Sequence, residues 1–119
     1  MASRKLDDLV PECRDKAILF LEKTKEEGYS VLIIGTLRTQ AEQDALYAQG
    51  RTTPGDIVTW THHSKHCEGK AFDVVLLVNG KINWHAPDYT PLGVIAEGIG
   101  LTWGARTTHG KDFDHFQIA

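Results

Sequence analysis

Six histidines in 119 residues is a rich supply, and two of them stand apart by their surroundings. His66 precedes an apolar run and is followed, across a glycine, by Asp73 in Ser64-Lys65-His66-Cys67-Glu68-Gly69-Lys70-Ala71-Phe72-Asp73. His115 has Asp112 three residues before it in Asp112-Phe113-Asp114-His115-Phe116-Gln117. His62, His63, His85 and His109 fall in stretches that read as loops and are expected to be solvated. Two neutral imidazoles and one carboxylate suit a tetrahedral zinc ion, whose fourth position a catalytic site keeps for water. A dication would also account for Asp73, because an unpaired carboxylate entering an apolar strand costs on the order of several kcal/mol to desolvate. On spacing alone the plainer alternative stays open: His-x6-Asp is a weak pattern, and an aspartate at a strand edge is more often exposed than metal-bound.

The elements that must position these side chains follow from periodicity. Leu6, Leu9, Val10, Cys13, Ala17, Leu21 and Thr24 recur at helical spacing. Pro11 fits only near a helix start, so Asp7 to Val10 is set apart as a first turn, and Gly28 is the stop. Ser30 to Leu37 is expected as a buried strand. Thr39 and Glu42 form a capping box for a helix through Ala45, Leu46 and Ala48 that Gly50 ends. Arg51 to Lys65 has no sustained period, Pro54-Gly55 marks a turn, and a loop of that length is usually functional or mobile. Ala71 to Val78 is the second strand, Asn79-Gly80 a hairpin turn, and Lys81 to Trp84 the returning partner. Thr90 and Pro91 suit the N-cap and first position of a helix through Val94, Ile95 and Ile99. Leu101 to Trp103 and Phe113 to Ile118 are the closing strands, joined by the polar stretch Gly104 to Asp112. The order α-β-α-β-β-α-β-β predicts a small α+β domain with a mainly antiparallel sheet and flanking helices.

The totals bound the possibilities further. A chain of 119 residues suits one domain with one core. A formal charge of −3 gives no electrostatic reason to expect nucleic acid or an anionic membrane as partner. The longest apolar runs, Val31 to Ile34 and Val74 to Val78, are far too short to span a bilayer, so no membrane insertion is expected. The first twelve residues lack an apolar signal core. Cys13 and Cys67 are expected as free thiols of a reducing cytoplasm, with a disulfide between them as the alternative.

Ser64, His66, Gly69, Ala71 and Asp73 fill every fixed position of S-x-H-x-x-G-x-A-x-D, and Asp112 with His115 fits the second half of the same signature. The chain thereby resembles the VanY-type, or M15, zinc D-Ala-D-Ala carboxypeptidase/endopeptidase family. Within it the chain is most similar to phage endolysins acting as L-alanyl-D-glutamate peptidases. Leu37 to Thr52, Pro54-Gly55 and Val58-Thr59 are similar to that group too, so the likeness runs from Arg38 to Gln117. It implies a DD-peptidase/Hedgehog-like fold and a zinc ion held by His66, Asp73 and His115, with Asp112 as general base. Zinc can lower the pKa of a bound water to about 7 and polarise a carbonyl. Many relatives, the D,D-dipeptidases above all, carry Glu where this chain has Asp112, which favours the endopeptidase branch.

The resemblance gives Arg38 a substrate carboxylate or a developing oxyanion to bind, with a surface salt bridge as the alternative. It gives Ser64 a hydrogen bond to substrate or an orienting role, against that of a plain turn residue. Gly69 is expected to hold a backbone conformation other residues resist, and Ala71 to be small beside the metal. Trp103 and Phe116 are expected in the core, Asp114 on the surface, and Cys67 facing away from the metal.

Together these imply a monomeric zinc-dependent hydrolase of the peptidoglycan stem peptide filling residues 1–119, with no separate wall-binding domain. The expected bond is L-Ala–D-Glu and the expected setting is phage lysis. The enzyme would accumulate in the host bacterial cytoplasm and reach the wall through a holin-like pore. The alternatives are a D,D-carboxypeptidase removing terminal D-Ala and a non-catalytic, zinc-stabilised wall-binding module.

Overall fold

A computed structural model describes residues 3–59, 64–78, 80–82, 89–106 and 114–118. Helix α1 (Pro11–Glu26) starts on its proline, where a missing amide costs nothing, after a separate 3-10 turn at Leu6–Asp8. Cys13, Ala17, Phe20 and Thr24 line its buried face. Five strands follow among the described residues: β1 (Ser30–Gly35), β2 (Ala71–Val78), β3 (Lys81–Ile82), β4 (Thr102–Trp103) and β5 (His115–Gln117). All pairings between them are antiparallel, in the order β1-β2-β5-β4, with β3 also on β2. Helices α2 (Gln40–Ala48) and α3 (Thr90–Gly98) complete the expected α+β architecture.

β2 is the spine. β1 lies along one edge; on the other, β5 faces Ala71 to Asp73 and β3 faces Leu77 and Val78. Strand alternation sends Phe72, Val74 and Leu76 to one face, where they join Phe20 of α1, Leu92 and Ala96 of α3, Trp103 and Phe116 in one core. The rings of Phe20, Phe72 and Phe116 sit 4.8 to 5.7 Å apart. Trp103 and Phe116 are therefore core residues, as expected from the sequence. Gly93 lets α3 approach β4: a Cβ there would lie 2.3 Å from the Trp103 ring.

Asp73 points to the opposite face. Its register partners are Gly35 on one side and His115 on the other. The β1–β2 register runs regularly to Ile33↔Val74 and then skips Ile34, so a bulge bends β1 beside Asp73.

The element ends differ from expectation for identifiable reasons. β1 stops at Gly35 rather than Leu37 because the next carbonyls bond elsewhere: Thr36 O meets the His66 ring and Leu37 O accepts from Ser3 N. α3 begins at Thr90 with Tyr89 as N-cap, one residue early. Tyr89 is anchored in the core, its hydroxyl accepting the Leu76 amide at 2.9 Å, and Pro91 still falls in the first turn. β4 omits Leu101, and β5 spans His115 to Gln117 within the longer stretch expected. Asn79, Asn83, Trp84 and Phe113 lie outside the described residues.

Candidate metal centre

His66 is placed by a short 3-10 turn, Lys65–Glu68, closed at both ends by its own sequence. Ser64 is the N-cap, its hydroxyl accepting the His66 amide at 3.1 Å. Gly69 closes the turn in the left-handed region at φ 68°, where side chains are strained, and a Cβ there would also press on Asp8 O at 3.2 Å. The turn is fastened on both sides, since Val10 N donates to Gly69 O and Arg38 N to His66 O. The His66 side chain is 2% exposed, and that burial fixes its protonation pattern. Its Nδ1 lies 2.7 Å from the Thr36 carbonyl, which can only accept, so the ring proton sits on Nδ1. Nε2 is left bare and buried, 3.1 Å from Asp73 Oδ2 and without a hydrogen-bond partner among the described residues.

His115 is held in the opposite sense. Its Nε2 lies 2.8 Å from Gln117 Oε1, two residues along the same face of β5, and donates to it. Nδ1 then faces Asp73 Oδ1 at 3.1 Å. The two rings meet edge to face with centroids 5.0 Å apart. In neutral histidines both bare nitrogens would aim lone pairs at one carboxylate, which is repulsive unless a proton or a metal ion lies between. Burial alone would raise the pKa of Asp73; with protons on the facing nitrogens, hydrogen bonds from His115 and His66 and their positive charge outweigh it and hold the carboxyl well below the ordinary aspartate range.

The three ligand atoms lie within 4.8 Å of one another. Ligand atoms of a tetrahedral zinc stand about 3.3–3.5 Å apart, given bonds of about 2.0–2.2 Å. The donor set, the bare nitrogens and the spacing all fit a borderline dication. Each imidazole also has the acceptor on its other nitrogen that metal-binding histidines use to fix their orientation.

Arg38 reaches the same face. Its Nη2 stands 3.9 Å from Asp73 Oδ2, and its Nη1 donates to Gln43 Oε1 at 2.6 Å. Gln43 is fully buried on α2, behind the capping box formed by Thr39 and Glu42. Cys67 Sγ turns towards Thr39 O at 3.9 Å, and neither cysteine is paired. Asp112 lies outside the described residues, as do His62, His63, His85 and His109.

A profile of the M15 peptidases, described as D-alanyl-D-alanine carboxypeptidase, matches residues 58–118. The peptidoglycan L-alanyl-D-glutamate endopeptidase CwlK of Bacillus subtilis (strain 168) is 32% identical over 123 residues, covering 93% of this chain and 74% of CwlK. The chain belongs to the M15 peptidase family.

Solved structures place this M15 peptidase in the expected fold. The Serratia marcescens L-Ala D-Glu endopeptidase ChiX superposes with a TM-score of 0.78 at 23% identity, covering all of this chain and 89% of that one. The vancomycin-resistance D,D-pentapeptidase VanY, crystallised in complex with Zn(II), gives 0.65 at 14% identity over 92% of this chain and 72% of that one. Among the described residues of this M15 peptidase no helix is long and apolar enough to cross a membrane.

Three contributors to the centre went unread in the sequence. Gln117 carried a usable signal, because residues i and i+2 share a strand face. Gln43 and the Thr36 carbonyl carried none, since their contacts arise only from the way α2 and β1 pack.

Proposed function

We propose that this peptidase is a zinc-dependent hydrolase of the bacterial peptidoglycan stem peptide, cutting the L-Ala–D-Glu bond. The observation that carries the reading is the pair of histidines whose outer nitrogens meet Thr36 O and Gln117 Oε1 while their other nitrogens converge on Asp73. Identity to CwlK supports the choice of bond. His66 through Nε2, Asp73 through its carboxylate and His115 through Nδ1 would hold the ion. When bound, zinc supplies a water that is acidic near neutral pH and a Lewis acid for the scissile carbonyl.

The chain's own groups do the rest. Thr36 O and Gln117 Oε1 keep the two ring protons away from the metal side. Asp112, assigned from the sequence signature, takes the proton of the attacking water on its carboxylate and returns it to the departing D-Glu nitrogen. Arg38, held by Gln43, offers its guanidinium to negative charge on the substrate. Ser64 sets the turn that carries His66, so its part is orientation. A monomer whose catalytic unit fills residues 1–119 completes the proposal; the setting in phage lysis rests on the likeness to endolysins alone.

The profile's description favours one rival, a D,D-carboxypeptidase removing terminal D-Ala. Mass spectrometry of purified wall digested by the zinc-loaded enzyme separates the two. New N-terminal D-Glu is expected, whereas free D-Ala with intact L-Ala–D-Glu bonds would overturn the assignment.

A further inference from the structure

Arg38 is an unusually well-held cation with charge to spare. Its side chain is 15% exposed, and its backbone amide is tied to the His66 carbonyl at 3.0 Å, which fixes it to the ligand-bearing turn. The buried group that grips it, Gln43, is neutral. Gln43 Oε1 accepts from Arg38 Nη1 at 2.6 Å, while Gln43 Nε2 donates to Thr59 Oγ1 at 3.3 Å, so the amide is fixed at both ends. The carboxylate near the guanidinium, Asp73, is 3.9 Å away, beyond hydrogen-bond distance, and faces both histidines at 3.1 Å. Arg38 Nε is buried with no hydrogen-bond partner among the described residues. A guanidinium positioned by a neutral amide keeps its charge for an incoming anion, whereas a glutamate at position 43 would consume it.

Resting on the L-Ala–D-Glu reading, we infer that Arg38 selects stem peptides whose residue after the scissile bond carries a free α-carboxylate, with Gln43 as its positioning residue. D-Glutamate in the wall continues the peptide through its γ-carboxyl, so its α-carboxylate is free and two bonds from the scissile nitrogen. Amidated walls carry D-isoglutamine there instead. Its carboxamide brings no charge, and its NH2 sets donor against donor at the guanidinium. The chain is thus a hydrolase for the unamidated wall chemotype.

The test compares N-acetyl-L-Ala-γ-D-Glu-L-Lys with its D-isoglutamine counterpart, using the zinc-loaded enzyme and reading kcat/KM and the bond cut by chromatography. The free acid is expected to be preferred roughly 10- to 100-fold, the cost of removing one partner of a desolvated charge pair. Arg38→Gln should abolish that preference. Gln43→Glu, nearly isosteric, should reduce it to below about threefold with zinc content unchanged, which a purely structural role would not do. Cleavage of both peptides at the same bond within about twofold would overturn the inference and leave the peptidase reading standing. So would a preference that survives both substitutions, or an Arg38→Gln loss equal for both peptides, which would make Arg38 an oxyanion ligand. Cleavage of neither peptide at that bond would remove the underlying reading, and the inference with it.

Discussion

His66 Nε2 and Asp73 Oδ2 face each other at 3.1 Å, with the ring proton committed to the Thr36 carbonyl on the far side of the imidazole. Among the described residues no group bridges them. Two electron pairs are held in contact by a buried turn and a sheet register, an arrangement that a cation would relieve. A dication between them would turn their repulsion into two bonds.

Zinc should therefore stabilise the fold. A ligand at one hundred times its dissociation constant contributes about 2.7 kcal/mol, which for a domain of this size is a Tm rise of about 10 °C. Thermal melts followed by circular dichroism, with zinc and after chelation, measure it. A melting temperature indifferent to both would count against the site.

Gln117 should tune the metal without being a ligand. Gln117→Leu removes the acceptor that keeps the proton on His115 Nε2, and zinc affinity should fall about 10- to 100-fold. Gln117→Glu retains an acceptor and should bind zinc at least as tightly as the native protein. Competition with a chromogenic chelator reads both, and equal affinity for the Leu variant would refute the role.

The parts of this centre legible in the sequence were those with local spacing. His66, Ser64, Gly69 and Asp73 lie in ten consecutive residues, and turn chemistry plus strand alternation set their geometry. Thr39 and Glu42 announced α2 in the same way. His115 could be paired with Asp73 only through the resemblance, since the β2–β5 register joins positions 42 residues apart. The Thr36 carbonyl escaped because the bulge that ends β1 is a tertiary event, and Gln43 because a buried glutamine has no pattern until its partner is known.

Asp112→Ala separates chemistry from structure. Losing a general base should lower kcat by about 10²- to 10⁴-fold, with zinc content and Tm unchanged. A variant that keeps full turnover would dismiss Asp112 from the mechanism.

Alkaline sensitivity should trace to Cys13. Burial, with help from Glu12, pushes its thiol from 9.0 up to about 11. A group whose folded pKa is raised contributes stability that is complete below its unfolded value and is lost as pH rises through the folded one. Urea unfolding should accordingly show a loss on the order of 2–3 kcal/mol between pH 9 and pH 11. Cys13→Ala should flatten that limb; an equally steep limb in the variant would assign it to another group.

The coordination sphere itself can be read by X-ray absorption at the zinc edge of the metal-loaded protein. Two imidazole nitrogens and a carboxylate oxygen at about 2.0–2.2 Å, with no sulfur, are expected from His66, His115 and Asp73. A sulfur at about 2.3 Å would place Cys67 or Cys13 on the metal and contradict the proposed centre.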